Sequence, residues 1–128
     1  MIDHVSLGVR DLQASARFYE AILAPLGYAR LVDRLATVGF GTKYPELWLN
    51  ARPKLSAIET DPGSHICLRA KSADAIDAVH RLAIRHGGTC DGPPGSRPGA
   101  MVVYYGTFIR DLDGNKIEVM TVPPRPGE

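Results

Sequence analysis

The chain has 128 residues, 45% apolar and 23% charged, with 15 Lys+Arg against 14 Asp+Glu. That suits one globular domain with a real core, and a formal charge of +1 argues against nucleic acid or an anionic membrane surface as a partner. No apolar run approaches the roughly 18–20 residues of a membrane span.

Residues 2–9 alternate as a strand, with Ile2, His4, Ser6 and Gly8 on one face and Asp3, Val5, Leu7 and Val9 on the other. Met1 to His4 carries neither a basic region nor an apolar leader, so no secretory signal is expected. Asp11 is a good N-cap, and Leu12, Ser15/Ala16, Tyr19, Ile22/Leu23 and Leu26 form one helix face. Pro25 and Gly27 stop that helix. Three short strands follow at 28–33, 35–41 and 46–50, and 51–63 links to the next unit.

Residues 65–70 repeat the first strand. Ser72 caps a second helix that ends at His86-Gly87-Gly88. Residues 91–99 are too rich in Gly and Pro for regular structure and are expected to form an inserted loop. Residues 101–110 read as a long strand, 111–115 as a hairpin turn, 116–122 as the last strand and 123–128 as a disordered or edge-covering tail. The two cysteines, Cys67 and Cys90, suit reduced thiols in a cytoplasm better than a disulfide framework. Cys67 shares a strand face with His65 but is expected to be a packed, inert thiol.

A shift of 61 residues superposes the halves without a gap: His4 falls on His65, Val5 on Ile66, Leu7 on Leu68, Phe18 on Val79, Leu23 on Ile84 and Gly27 on Gly88. A fixed offset marks a duplicated unit. The expected fold is α+β, two βαβββ modules (1–50 and 64–122) whose curved sheets enclose a cleft. Side chains from the first and last strands of each module would converge there: His4, Glu46, His65 and Glu118. An ionisable residue on a core strand is costly unless paired or bound. Two imidazoles with one or two carboxylates suit a divalent first-row metal. His80 replaces Tyr19 in the second helix and is expected to be a packing residue, and His86 a helix-terminus residue in solvent.

The matching pieces Asp3-His4-Val5-Ser6-Leu7-Gly8-Val9-Arg10-Asp11, Ser15-Ala16-Arg17-Phe18-Tyr19, His65-Ile66-Cys67-Leu68 and Asp111-Leu112-Asp113-Gly114-Asn115-Lys116-Ile117-Glu118 resemble the vicinal oxygen chelate superfamily. That group includes glyoxalase I, extradiol dioxygenases and the bleomycin and fosfomycin resistance proteins. The resemblance implies metal ligation by His4, His65, Glu118 and Glu46, with Glu118 and Glu46 as catalytic carboxylates. It also implies a divalent metal (zinc, nickel, iron, manganese or cobalt), a small oxygen-rich substrate and a homodimer whose cleft draws on two chains. Trp48 is an alternative inward residue to Glu46. Arg97 is a candidate clamp for an anionic group within a lid, and one of Tyr104 and Tyr105 should line the cleft. Both glyoxalase-like isomerase or lyase chemistry and dioxygenase chemistry fit. The rival is a metal-free binding protein like those of bleomycin resistance, which generally lack the metal ligands.

Overall fold

Asp11 and Ser72 each sit between a strand and a helix. Asp11 Oδ1 accepts from the Ala14 amide at 3.1 Å and Ser72 Oγ from the Ala75 amide at 3.2 Å, satisfying first-turn N–H groups that have no partner inside the helix. The computed structural model describes residues 1–122; the tail at 123–128 lies outside the described residues. The first half runs β1 (Val5–Val9), α1 (Leu12–Leu23), β2 (Ala29–Asp33), β3 (Thr37–Gly41) and β4 (Pro45–Ala51). The second runs β5 (Ile66–Arg69), α2 (Ala73–Arg85), β6 (Thr89–Pro98), β7 (Val103–Arg110) and β8 (Lys116–Thr121). The βαβββ order occurs twice, as expected. Helix α1 gives way to a 3-10 turn over Ala24–Leu26, and Gly27 ends it at φ 82°, a left-handed conformation open to glycine.

The strands form two four-stranded sheets, in the orders β1-β4-β3-β2 and β5-β8-β7-β6. β1 runs parallel to β4 and β5 parallel to β8, while the remaining pairs are antiparallel. Alternation sends Val9, Val38, Phe40, Leu47 and Leu49 from the first sheet, and Ile109, Ile117 and Val119 from the second, into one buried cluster with the helices. The other row of each strand faces away from the helices. No helix among the described residues is long and apolar enough to cross a membrane.

One expectation is corrected here. Residues 91–99 are not an irregular insertion: Thr89–Pro98 is a strand paired with β7. It is the outer edge of its sheet, so Pro93, Pro94 and Pro98 need only leave the β7 side of the ladder intact. Register shifts at Cys90/Gly92 and Gly92/Gly95 absorb the remaining misfit.

The hairpin at 111–115 shapes its own turn, with Asp111 Oδ1 accepting from the amides of Asp113 at 3.0 Å and Asn115 at 2.8 Å. It also fastens the two modules together. Tyr19 of α1 donates its hydroxyl to Asp111 Oδ2 at 2.6 Å. Asp113 Oδ1 accepts from the Arg10 amide and from Arg10 Nη1, both at 3.0 Å. Asn115 Nδ2 donates to the Gly8 carbonyl at 3.2 Å. Burial pushes the Asp111 carboxyl up, against the hydrogen bonds from Tyr19 and Asn115. Burial and then the Asp111 charge push the Tyr19 phenol well above its ordinary value. Arg10 meanwhile ties down the linker through the Leu55 and Ser56 carbonyls at 2.8 and 2.7 Å.

Candidate metal centre

In the first module, His4 stands just ahead of β1, its side chain 51% exposed and its Nδ1 2.7 Å from Asp3 Oδ1. The β1–β4 register pairs Val5 with Leu47, and one step further sets His4 beside Glu46. Glu46 accepts a hydrogen bond from the Tyr28 hydroxyl. Burial, and then Glu46, push that phenol up to about 12. Trp48 shares the Glu46 face rather than competing for it. Its ring lies against Gly39, where an added Cβ would stand 2.9 Å from Trp48 Cζ3.

In the second module, His65 Nε2 and Glu118 Oε1 are 2.9 Å apart. Glu118 is only 8% exposed. Cys67 lies directly across from Glu118 in the β5–β8 register. Cys67 is exposed rather than the packed thiol expected from the sequence; local desolvation, and then the Glu118 charge, push its thiol up to about 12, with Arg69 pulling the other way. The Tyr104 hydroxyl is pushed up by burial and by Glu118, with Arg97 opposing. The buried carboxylate is thus faced by an imidazole, a thiol and a phenol, the last two held protonated. Phe108 opposes Glu118 on the β7 side, its ring 5.9 Å from that of His65.

The tyrosine pair resolves by strand parity. Tyr104 is on the Glu118 face, whereas Tyr105 points toward the helix and donates to Asp77 Oδ1 at 2.6 Å. Tyr105 is therefore removed from the substrate-facing set. Arg97 lies on β6 rather than in a lid; its Nε donates to the Gly106 carbonyl at 3.3 Å and its Nη2 to the Pro93 carbonyl. Its guanidinium carbon is 5.3 Å from the Phe108 ring centroid.

His4, Tyr28, Glu46, His65 and Cys67 line one open cleft of about 400 Å³. Glu118 opens into a neighbouring cleft of about 390 Å³ with Cys67, Tyr104, Met120 and residues 99–102. No three His, Cys, Asp or Glu side chains among the described residues are grouped so as to hold one ion. The expected ligands His4, Glu46, His65 and Glu118 thus lie about two adjoining clefts, His65 touching Glu118, without closing into a three-donor cluster among the described residues. Each sheet contributes one imidazole and one carboxylate, because β1 and β5 are each an edge of their sheet beside the strand that carries the glutamate, and His4, Glu46 and His65 open onto the same cleft. Either pair has the donor chemistry of half a divalent-metal site, and neither is complete alone. His80 on α2 stands apart as a packing residue, its Nε2 buried without a partner among the described residues; His86 caps the C-terminus of α2.

Tyr28, Phe108 and Lys116 were not singled out by the sequence reading. Phe108 and Lys116 had a legible signal, since both fall on the strand rows flanking Glu118. The Tyr28–Glu46 bond had none, because it joins side chains 18 positions apart and no local pattern marks such a pair.

The family model of the Glyoxalase/Bleomycin resistance protein/Dioxygenase superfamily matches residues 1–119. Virulence protein STM3117 of Salmonella typhimurium is 31% identical over 121 residues, covering 92% of this chain and 81% of that protein. A glyoxalase/bleomycin resistance protein from Albidiferax ferrireducens superposes with a TM-score of 0.81 at 34% identity, covering 92% of this chain and 96% of the other. A glyoxalase/bleomycin resistance protein/dioxygenase family enzyme from Burkholderia phytofirmans shares the fold with a TM-score of 0.72 at 18% identity, covering 95% of this chain and 98% of the other.

Proposed function

We propose, from the premise that the chain belongs to the Glyoxalase/Bleomycin resistance protein/Dioxygenase superfamily, that it is a divalent-metal-dependent enzyme acting on a small oxygen-rich molecule. Its reaction is of the glyoxalase or lyase type or of the dioxygenase type. The observation that carries this reading is the pairing of His65 with the buried Glu118 at 2.9 Å. A buried carboxylate and an imidazole held this close have the donor chemistry that a divalent cation takes up.

The site is assembled between two copies of the chain, His4 and Glu46 of one facing His65 and Glu118 of the other. Support comes from apolar side chains in water, Leu35 at 99% and Met101 at 93% exposure, which a second copy would cover. A metal held there would supply Lewis-acid stabilisation of a developing oxyanion. The chain's own residues would do the rest. Tyr104 and Cys67, protonated at neutral pH, donate hydrogen bonds to substrate oxygens rather than attack them. Glu46, held by Tyr28, or Glu118 takes up a proton from substrate. The two cysteines are free, which supports a reducing cytoplasmic setting.

The test mixes two inactive variants. His4→Ala and His65→Ala should each lose metal, and mixed dimers should recover it at about a quarter of all sites, since one heterodimer site carries both lesions and the other neither. No recovery on mixing, with each homodimer intact, would refute the shared site. A second reading, a metal-free small-molecule binder, is favoured by the lack of any three-donor group among the described residues. Wild-type protein that takes up no metal while binding ligand would establish it.

A further inference from the structure

The outward face of the second sheet carries more positive charge than the His65–Glu118 pair accounts for. Cross-strand register sets Cys67 and Arg69 of β5 beside Glu118 and Met120 of β8, and Phe108 and Arg110 of β7 beside Glu118 and Lys116. Arg97 of β6 pairs with Tyr104 at the far side. Arg110 and Lys116 share a single carboxylate, Asp91, at 3.1 and 3.3 Å. Arg97 has no carboxylate at all among the described residues. Two of its nitrogens are spent on carbonyl oxygens and its Nη1 makes no hydrogen bond there.

The Phe108 ring organises this patch. Arg97 lies 5.3 Å from its centroid and Lys116 Nζ 4.9 Å, distances at which a cation is drawn to an aromatic face. The His65 ring lies 5.9 Å from the same ring. One aromatic side chain therefore has the His65 ring and two cations around it, and His65 and Lys116 line one cleft. A half-buried guanidinium fixed through Nε and Nη2 by backbone carbonyls, with Nη1 left to donate, can recognise a planar or tetrahedral oxyanion.

We propose that Arg97 and Lys116, braced on Phe108, form an oxyanion subsite, and that the substrate is a small organic acid. Its carboxylate or phosphoryl group sits at Arg97 and Lys116 while its other oxygens reach the His65–Glu118 pair. This rests on the enzymatic reading above for the second half of the statement, but the subsite itself is testable without any metal.

The experiment is calorimetric titration of metal-free protein with inorganic phosphate and, separately, with acetate at constant ionic strength. Saturable binding is expected, tighter for phosphate if the natural group is phosphoryl and tighter for acetate if it is carboxylate. Arg97→Gln and Lys116→Gln should each weaken it about tenfold, the loss of one charge-assisted hydrogen bond. Arg97→Lys should retain part of the affinity, and Arg17→Gln, an exposed cation on α1, should change nothing. Unchanged affinity in Arg97→Gln, equal weakening in Arg17→Gln, or no saturation with either anion would overturn the subsite. Metal uptake is followed in parallel on the same proteins. Anion binding through Arg97 in a protein that takes up no metal would sink the enzymatic reading alone, and the converse would sink the subsite alone.

Discussion

Replacing Tyr19 with Phe tests how the two modules are held together. Tyr19 is fully buried and Asp111 is 4% exposed, so water cannot substitute for the bond between them. The ring contributes separately through an edge-on contact with Phe18 at 5.2 Å, which Phe keeps. What is lost is one hydrogen bond to a carboxylate. Bonds to charged groups contribute about 1.5–3 kcal/mol. Asp111 keeps three N–H donors, from Asp113 and from the Asn115 amide and side chain at 2.8–3.0 Å, so its charge is not orphaned and the cost falls near the lower end, about 1.5–2 kcal/mol. Urea unfolding at neutral pH reads it, with the slope unchanged. The pH dependence adds a second check. The folded-state phenol is raised well above 10, whereas the unfolded one titrates near 10. Its stabilisation is therefore complete below about pH 10 and is lost above it. The gap between wild type and Tyr19→Phe should close on the alkaline side. A loss under about 0.5 kcal/mol, the range of an unimportant surface change, or a gap that widens with alkali, would refute the reasoning.

Neutralising Glu118 as Gln should make Cys67 more reactive, because the Glu118 charge is one of the forces holding its thiol near 12. Alkylation by iodoacetamide at pH 8.5 in a Cys90→Ser background should speed up several-fold, the remaining desolvation of the thiol keeping it slower than a free cysteine. His80→Leu should stabilise the fold by about 1 kcal/mol in thermal unfolding by removing a buried nitrogen without a partner; a comparable loss would mean that His80 is bonded in solution. Gly39→Ala would press a methyl onto Trp48 and Pro45 and should cost about 1–3 kcal/mol by overpacking. The same variant should shift the emission of the single tryptophan.

The repeat and its punctuation were legible because they are local. Period-2 alternation, the Asp11 and Ser72 caps and the Gly27 stop are written in neighbouring residues, and the helix starts, Leu12 and Ala73, keep the sequence offset. Strand β6 escaped because prolines argue against a strand only where the missing N–H is needed, and its edge position is not a local property. Membership of the candidate site was legible in part: parity put Glu46 with Trp48 and allowed one of Tyr104 and Tyr105. Which tyrosine faced outward depended on the row of Ile109, buried on the helix side with Tyr105. The meeting of His65 with Glu118 followed from the repeat. That His4 and Glu46 open onto the same cleft as His65 while Glu118 opens into its neighbour was not legible, since it depends on how two sheets sit relative to each other.

The bonds from residues 111–115 to Gly8, Arg10, Ser15 and Tyr19 run between the halves without passing through residues 57–63. The peptide connection there serves mainly to keep the halves at high local concentration. A protease nick in that stretch should leave both fragments eluting together in gel filtration. Two separately expressed fragments should likewise reconstitute on mixing, which would let isotopes or unnatural residues be introduced into one half at a time.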